Sequence, residues 1–337
     1  MEKDPRVKMA TILAGDIGGT NTRLALFEQT SGRPVMSLET TYPSRNYNGL
    51  EDIVREFVLS QPVTINAACF GIAGPVVRGT ATVSNLPWTV ESARLAQELR
   101  LPTASLINDL AAHGYGVDVL APGDFAPLNT AEAAEGNAAI IAAGTGLGEA
   151  GLYWDGKDRH PFSSEGGHAT FAPQNEVEMR LHQYLTTKFG HASCERVLSG
   201  PGLKNVYDFL KDTSLEQEPP WLQQELANST DASALISHLA LEGKAAICER
   251  SLDIFATALG SEAGNLALRF LATAGIFLSG GIAAKILPKL QEPTFLQAFL
   301  AKGRMQRLLE KIPVKVITND KVGLIGAARR ALQDLPA

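Results

Sequence analysis

Short apolar runs that end at glycine-rich segments occur twice along the chain in the same arrangement. The apolar residues 9–14 lead into Gly15–Thr20, after which apolar residues resume. The apolar run Ala138–Ala143 leads in the same way into Gly144–Gly148, and Gly151–Trp154 follows it. Each pattern predicts a strand, a glycine turn and a second strand. The two patterns lie 129 residues apart and predict two similar α/β halves, each contributing a glycine loop to one site.

The remaining hydrophobic periodicity predicts an alternation of strands and helices. Further strands are expected at Ile65–Ala73, Ala104–Ile107, Gly275–Leu278 and Val314–Thr318. Helices are expected at Ala93–Leu99, Leu110–Gly116, Glu176–Phe189, Ala232–Phe270, Ile282–Leu290 and Val322–Leu332, with a loop at Asp212–Pro220. Gly260 and Gly264 lie inside the longest helical pattern, where they predict either an interruption or close packing against a neighbouring element.

The composition is that of an ordinary globular protein. The chain has 337 residues, and at roughly 150 residues per domain this length suggests about two domains. Hydrophobic residues make up 45% and charged residues 20% of the chain, which excludes a disordered or fibrous protein. Lys and Arg number 30 against 36 Asp and Glu, a net charge of −6. A dedicated nucleic-acid-binding protein would show a basic excess instead.

Signals for secretion or membrane insertion are not apparent in the sequence. The charged first ten residues lack the apolar core of a signal peptide, and no apolar stretch reaches about 18 residues. Three widely spaced cysteines, Cys69, Cys194 and Cys248, fit neither a disulfide framework nor a Cys-x-x-Cys zinc site. Reduced thiols in the cytoplasm are the simplest interpretation. We therefore expect a cytoplasmic protein without a membrane or nucleic-acid partner.

Both glycine-rich segments are candidate phosphate loops, because glycine lets backbone N–H groups point at an anion. The segment Gly15–Asn21 adds the carboxylate of Asp16, which would suit Mg²⁺ directly or through water, and donors in Thr20 and Asn21. A tight hairpin turn is the alternative for this segment. The Walker A pattern is absent. A GxGxxG match at Gly146–Gly151 precedes a predicted strand rather than the helix of a dinucleotide site.

A polar pair ends one of the predicted strands. Asn108 and Asp109 are good helix caps, and they could also place a carboxylate at the strand end where α/β sheets bind ligands. Their position between the two glycine segments makes the functional interpretation competitive. No Ser-His-Asp, Cys-His or GxSxG pattern supports a hydrolase.

Other polar residues have two possible roles each. Glu165 and His168 flank two glycines and could bind a polyol, or be solvated surface residues. Glu195 alone is typical of a surface charge. Asn85 with Trp88 could form a turn or a sugar-facing corner.

Taken together, the motifs resemble those of the bacterial glucokinases in the hexokinase, actin and Hsp70 superfamily. The resemblance runs from about Ile12 to Leu332, in the order and spacing of the family. The motifs that carry it are Gly15–Asn21, Gly71–Pro75, Ile107–Asp109, Gly144–Gly148, Glu165–His168, Glu195–Gly202 and Ser279–Ile282.

The resemblance implies an α/β, two-lobed, ribonuclease-H-like fold (the actin-like ATPase fold) with a central cleft. It suggests a small α/β lobe of residues 1–118 to which 319–337 return, and a large α/β lobe of residues 119–318. It further implies ATP-dependent phosphorylation of D-glucose at the 6-hydroxyl, a step of glycolysis, with Mg²⁺ and a homodimer.

The resemblance also assigns residue roles. Asp109 is the expected general base. Glucose is expected to contact Asn85, Asn108, Asp109, Glu165, His168 and Glu195. The nucleotide is expected to contact Gly15, Asp16, Ile17, Gly18, Gly19, Thr20, Asn21, Gly144, Thr145, Gly146, Gly148, Gly280 and Gly281, with Asp16 near Mg²⁺.

Differences from the related ROK sugar kinases show which branch of the glucokinases the chain resembles. ROK sugar kinases usually carry a Cys/His zinc site, which the three cysteines here cannot build. ROK repressors also have an N-terminal helix-turn-helix, for which the ten residues before the first strand are too short. The sequence therefore favours the non-zinc glucokinase branch. The alternatives are a kinase for another hexose or amino sugar, a nucleotide-switched ATPase of the actin and Hsp70 group, and a non-catalytic sugar sensor.

Overall fold

The computed structural model describes residues 10–30, 33–61, 63–83 and 85–335. In chain order the strands are β1 (Thr11–Ile17), β2 (Asn21–Thr30), β3 (Arg33–Pro43), β4 (Ala67–Ile72), β5 (Val76–Val77), β6 (Thr80–Thr82), β7 (Thr89–Glu91), β8 (Ser105–Asn108), β9 (Phe125–Pro127), β10 (Ala138–Ala143), β11 (Leu147–Trp154), β12 (Arg159–Ser164), β13 (Gly275–Ser279) and β14 (Val314–Ile317).

The α-helices are α1 (Leu50–Leu59), α2 (Ser92–Leu99), α3 (Asp109–Val117), α4 (Glu176–Phe189), α5 (Gly200–Asp212), α6 (Pro220–Asn228), α7 (Ala232–Leu241), α8 (Ala246–Phe270), α9 (Gly280–Lys285), α10 (Leu287–Leu290), α11 (Pro293–Leu300), α12 (Gln306–Leu309) and α13 (Val322–Leu332). The described residues divide into two compact units. The first contains residues up to Pro122, Arg159–Ser163 and residues from Asn319 onward, and the second contains Gly123–Asp158 and Ser164–Thr318.

The first unit is built on a mixed sheet with the strand order β3-β2-β1-β4-β8. Strand β1 runs antiparallel to β2 and parallel to β4. Its side chains alternate between two buried faces, as the two-residue period of a strand requires. Leu13 and Ile17 join a core that includes residues of α1 and α2, whereas Ile12 and Ala14 pack in a second cluster with α13. The central strand is therefore covered on both faces.

The second unit repeats this arrangement. Within it the strands follow the order β11-β10-β13-β14-β9, with β10 antiparallel to β11 and parallel to β13. The 25-residue helix α8 packs against α5, α7 and α11. A side chain at Gly260 or Gly264 would overlap the backbone carbonyls of Phe295 and Phe299, so both glycines allow α11 to approach closely. Of the two predictions for these glycines, close packing is confirmed.

The two predicted strand, glycine turn and strand patterns are confirmed as the hairpins β1–β2 and β10–β11. Their turns are shorter than the sequence suggested. Gly15, Asp16 and Ile17 lie on β1, and Gly148 lies on β11. The GxGxxG match lies almost entirely on β11, and no helix follows it directly in the described part of the chain. Residues 18–20 and 144–146 therefore form the turns themselves.

Two predicted helices are each divided in the structure. The pattern Ala232–Phe270 forms α7 and α8, separated where Gly243 adopts a left-handed conformation with φ of 64°, a common way to end a helix. The pattern Ile282–Leu290 is interrupted at Ile286, ahead of Pro288. Proline has no backbone N–H, and its ring clashes with the carbonyl four residues earlier in a continuous helix. Pro288 is therefore accommodated in the first turn of a new helix, α10, rather than inside a longer one.

Several elements of the structure were not predicted from the sequence. The strand β3, the helix α1 and the small sheet β5-β6-β7 are examples. None of the described helices is long and apolar enough to span a bilayer. Residues 1–9, on which the interpretation of the N-terminus depends, lie outside the described residues.

Candidate functional site

Asp16 is paired with an arginine that the sequence analysis did not single out. Arg23 lies directly opposite Asp16 in the β1–β2 ladder, and its Nη2 donates to Asp16 Oδ2 at 2.7 Å. The same guanidinium donates to the backbone oxygen of Asp320 at 3.0 Å. The signal that could have identified this pair is the hairpin register, because opposite residues on paired strands are neighbours.

The first glycine turn is fixed by its own backbone and by Ser44. The Gly18 N–H donates to the Asn21 carbonyl at 3.0 Å, and Ser44 Oγ donates to the Gly18 carbonyl at 2.8 Å. The Ser44 N–H donates to the Thr20 carbonyl at 2.9 Å. The tight hairpin turn considered from the sequence is therefore present.

Gly15 lacks a side chain for a packing reason. A Cβ atom there would lie 2.5 Å from Phe70 Cδ1 and 2.9 Å from Ile17 Cδ1. Phe70 is fully buried in the core of the first unit. This glycine therefore belongs to the core, and it is not one of the glycines with a positive φ.

Asn108 and Asp109 begin helix α3 at the end of β8. Asn108 is the N-cap, and its Oδ1 accepts from the Leu110 and Ala111 N–H groups at 2.9 and 3.3 Å. Asp109 Oδ1 also accepts from Leu110 N–H, at 2.9 Å. Burial, together with the charge of Asp16, raises the pKa of Asp109 to about 6. Asn108 thus caps the helix, and the adjacent Asp109 carries the carboxyl group with the raised pKa.

Two expected sugar-binding residues have other uses in the structure. The amide of Asn108 is engaged on both sides, because its Nδ2 donates to the Gly74 carbonyl at 3.2 Å while its Oδ1 caps the helix. Asn85 is an exposed residue with φ of 64° in the connection between β6 and β7, and Trp88 is buried in the core. The turn that the sequence suggested for this segment is present.

His113 is a second residue that the sequence analysis passed over. It lies one helical turn after Asp109, and burial lowers the pKa of its imidazole. Its ring and Asp16 both border Gly323, where a Cβ would lie 3.2 Å from the ring and 3.6 Å from Asp16 Cγ. A neutral imidazole therefore lies in the surroundings of Asp16.

In the second unit, Glu165, His168 and Glu195 come together as expected. His168 Nε2 lies 3.9 Å from Glu165 Oε2, and its Nδ1 lies 3.9 Å from Glu195 Oε1. The side chains of Glu165 and His168 are 71% and 61% exposed, and Glu195 is 30% exposed. Exposed pairs at this distance contribute little stability. These side chains are therefore accessible to a polar ligand.

Glu195 also binds the second glycine turn. Its Oε2 accepts from the Leu147 N–H at 3.0 Å, and a Cβ at Gly146 would lie 2.6 Å from the same oxygen. The Gly144 N–H donates to the Gly146 carbonyl at 2.9 Å within the turn. Glu195 therefore links this turn to His168, a connection that spacing along the chain did not reveal.

Open space surrounds part of this turn. A Cβ at Gly144 or Gly281 would meet no atom within 4 Å, and Thr145 is exposed. Gly280 has φ of 84° and lies against the backbone of Ala143, the last residue of β10. A residue with a side chain would be strained and would overlap there. The glycines thus leave room beside the end of β10 for a ligand.

The donor set of the first unit is consistent with one weakly held Mg²⁺. Among the described residues, no three His, Cys, Asp or Glu side chains are arranged to hold a metal ion. Mg²⁺ commonly uses one or two carboxylates, with water and substrate phosphates completing its shell. The side chain of Asp16 is 23% exposed, and a carboxylate can accept more bonds than the one from Arg23.

Comparisons with known proteins agree along almost the whole chain. A model of the glucokinase family matches residues 13–334. A glucokinase from Trichormus variabilis is 44% identical over 336 residues, which cover 95% of this chain and 98% of the relative. The crystal structure of a glucokinase from an Antarctic psychrotroph is 31% identical, with a TM-score of 0.85 over 97% of this chain and 100% of that one.

A more distant structure shares the fold. A ROK family glucokinase from Streptomyces griseus, solved in complex with glucose and AMPPNP, is 22% identical with a TM-score of 0.63 over 96% of this chain and 100% of that one. The expected mixed α/β, actin-like ATPase fold is thereby confirmed. The family model and the relatives match nearly the whole length of the chain. The protein is therefore an enzyme of the glucokinase family.

Proposed function

We propose that the protein transfers the γ-phosphoryl group of ATP to the 6-hydroxyl of D-glucose, with Asp109 as the general base. Membership of the glucokinase family supports the reaction and the substrate. The fold neighbour solved with glucose and AMPPNP supports ATP as the donor. The products are glucose 6-phosphate and ADP, as in the first step of glycolysis.

The observation that carries the residue assignment is the carboxyl group of Asp109. Its pKa is raised to about 6 by burial and by the nearby charge of Asp16. Such a group is ionised at neutral pH yet remains a useful proton acceptor, because a base works best with a pKa near the working pH. Asp109 therefore takes the proton of the attacking hydroxyl as the phosphorus–oxygen bond forms.

The residues assigned to glucose are those that the family resemblance indicates. In the second unit Glu165, His168 and Glu195 are accessible, and His168 lies 3.9 Å from each of the two carboxylates. Alternating acceptors and donors of this kind suit vicinal hydroxyls. In the first unit we assign Asp109 and Asn108 to glucose, because the Asn108 amide has a second N–H besides the one that the Gly74 carbonyl accepts. Asn85, at the exposed turn before β7, is assigned on the family resemblance alone.

The two glycine turns are assigned to the phosphates of ATP. Phosphoryl transfer depends mainly on positioning and on stabilising charge. In the first unit we assign the phosphates to the turn residues Gly18, Gly19 and Thr20, together with Asp16 and Asn21. Gly15 and Ile17, which the resemblance also indicates, are buried on β1 and are assigned the role of positioning this turn. In the second unit we assign the phosphates to Gly144, Thr145, Gly146 and Gly148, with Gly280 and Gly281 placed for the adenosine.

Asp16 would hold Mg²⁺, directly or through water. When bound, the ion neutralises charge on the β- and γ-phosphates. Arg23 orients the Asp16 carboxylate through their 2.7 Å bond. The Arg23 guanidinium therefore also lies close to the phosphates that we assign to the first glycine turn.

The experiment is ADP release from Mg-ATP with glucose, compared with mannose, fructose, N-acetylglucosamine and no sugar. Release that depends on glucose supports the proposal. Release with another sugar assigns the chain to that hexose or amino sugar. Sugar-independent release indicates a nucleotide-switched ATPase, and no release indicates a sensor or a different donor.

The quaternary structure and location are part of the proposal. The family resemblance supports a homodimer in the cytoplasm that acts on glucose and ATP without a nucleic-acid or membrane partner. Light scattering behind a sizing column measures the mass directly. A value of about 36 kDa would match the 35.9 kDa monomer and contradict the dimer.

A further inference from the structure

Two glutamates of the second unit are buried with an oxygen that has no hydrogen-bond partner. Glu149, on β11, and Glu178, on α4, are each 1% exposed. In both, the Oε1 atom is buried without a partner. Carboxyl groups are rarely buried in this way because removing the charged form from water is costly. Neither residue belongs to the site assigned above.

The surroundings of Glu149 disfavour its charged form. Glu262 is also buried, and the nearby Arg269 is engaged with it at 2.7 Å. Burial and the charge of Glu262 raise the pKa of Glu149 to about 7. Arg269 offsets only part of this effect. Cys194, which precedes Glu195, faces the same group of charges, since Glu262 and Glu149 both raise the pKa of its thiol.

Glu149 lies directly under the turn that carries Glu165 and His168. A Cβ at Gly166 would overlap Glu149 Oε2. The backbone of Glu149 is tied to the same turn, because Ser164 Oγ donates to the Glu149 carbonyl at 2.9 Å and accepts from the Gly166 N–H at 3.2 Å. The side chain and the backbone of Glu149 therefore both support the turn from below.

Glu178 shares the burial but lacks this contact. Its Oε2 accepts from the Gln174 N–H at 2.6 Å, and its own N–H is capped by Asn175. These bonds hold the start of α4. Glu178 is therefore a matched control, equally buried and equally short of one partner.

We propose that Glu149 is a positioning residue for the sugar site, whose buried carboxyl group fixes the turn that holds Glu165 and His168. The proposal deepens the proposed function and rests on it. Gly166 has room for no side chain because Glu149 occupies that space, so the position of the turn depends on the volume of this residue. Its protonation also matters, since an ionised Glu149 adds negative charge beneath a turn that already carries Glu165.

The first experiment measures glucose and ATP kinetics for Glu149→Ala, Glu149→Gln, Glu178→Ala and the wild type. A displaced sugar-binding group leaves its partners unpaired, so Glu149→Ala is expected to raise the glucose KM about tenfold. The KM for ATP should stay within about twofold, because Glu149 is not among the residues assigned to ATP. Glu149→Gln, which keeps the shape, should restore a glucose KM near that of the wild type. Glu178→Ala should lower the Tm but leave both KM values unchanged.

The second experiment keeps the proposal testable if Glu149→Ala does not fold. Above about pH 7 the wild type should lose glucose affinity as Glu149 ionises, and Glu149→Gln should not. The charged and titratable groups that face Glu149 are Glu262 and Arg269 from α8, and Cys194, which directly precedes Glu195. The Gln variant keeps all of them, so the difference between the two profiles reports Glu149.

Other outcomes overturn the proposal. An unchanged glucose KM in Glu149→Ala, an equal rise in Glu178→Ala, or a change confined to the ATP KM would each show that Glu149 supports stability alone. If Glu149→Ala does not fold, identical pH profiles for the wild type and Glu149→Gln have the same meaning. A wild type that releases no ADP with glucose contradicts the proposed function instead, which separates the two failures.

Discussion

The hairpins β1–β2 and β10–β11 occupy the same place in their respective sheets. Each is an antiparallel pair whose first strand also runs parallel to a third strand, β4 or β13. In the first hairpin the chemistry lies on the strands themselves, where Asp16 pairs with Arg23. In the second, the turn is held by a carboxylate from elsewhere in the chain, because Glu195 accepts from the Leu147 N–H.

The glycines of the two hairpins differ in the same way. Gly15 is required by the buried ring of Phe70, and Gly146 is required by the carboxylate of Glu195. One glycine therefore avoids a clash in the core, and the other leaves room for a carboxylate that we assign to glucose. A shared glycine motif does not imply a shared reason for the glycine.

The largest expected effect tests Asp109, the buried carboxyl group of the first unit that we assign as the general base. Asp109→Asn should reduce kcat by about 10³-fold, because the base is removed while the cap and the binding groups remain. The Tm near pH 7.5 should not fall. The raised pKa of Asp109 means that its ionised form opposes folding, a cost that is absent below the roughly 3.9 of an unfolded Asp and grows as the pH rises through about 6.

Single-turnover kinetics and calorimetry measure these two effects. Turnover near that of the wild type would remove Asp109 from the role of base. A large loss of stability at neutral pH would instead show that the charged form is favoured in the folded protein.

The next largest effect is expected at Gly15, the glycine that packs against the buried ring of Phe70. Gly15→Ala should destabilise the protein by about 1–3 kcal/mol, as overpacking of a core does, because the new Cβ meets Phe70 and Ile17. The matched control is Gly144→Ala, where the Cβ meets no atom within 4 Å. Denaturant titrations of both variants measure the difference. Equal losses of stability would contradict the distinction between the two hairpins.

Gly146, which leaves room for the Glu195 carboxylate, should affect glucose binding rather than stability. In Gly146→Ala the new Cβ displaces Glu195 Oε2, and the free end of a flexible side chain moves at little cost to folding. We expect the glucose KM to rise about tenfold, the effect of losing roughly one hydrogen bond to a charged group, with the stability nearly unchanged. Combining Gly146→Ala with Glu195→Gln should add little beyond Glu195→Gln alone. Additive effects would mean that the glycine acts without Glu195.

The smallest effect is the pH dependence of the wild type. Because Asp109 has a raised pKa of about 6, kcat should fall to about half near pH 6 and decline further as Asp109 is protonated. The measurement is a kcat profile at saturating glucose and Mg-ATP. A profile that stays flat down to pH 5 would contradict this pKa for the catalytic base.

Much of the fold was accessible from the sequence because local patterns dominate there. The strand at Ala138–Ala143 and the helices at Glu176–Phe189 and Val322–Leu332 were predicted with the observed bounds. Their apolar periodicity and flanking polar or glycine residues are local signals. The strand β3 escaped prediction because its partly exposed residues give a weak pattern. The helix α1 was missed although its buried residues Leu50, Ile53, Val54 and Phe57 have the spacing of an amphipathic helix.

The candidate site was accessible only as separate motifs. The order of the glycine segments, the Asn108–Asp109 pair and the Glu165–His168 segment suggested the family. The pairing of Asp16 with Arg23 depended on strand register. The bond from Leu147 to Glu195 joins residues 48 positions apart, and no spacing rule predicts such a contact.

The sequence by itself determined the two hairpins, the mixed α/β class and the family, because these follow from local hydrophobic periodicity and short motifs. Only the tertiary structure decided which glycines serve packing and which carboxyl groups are perturbed. The pKa of Asp109 and that of Glu149 are raised mainly by burial. Burial depends on which distant segments cover a residue, and that is settled when the chain packs.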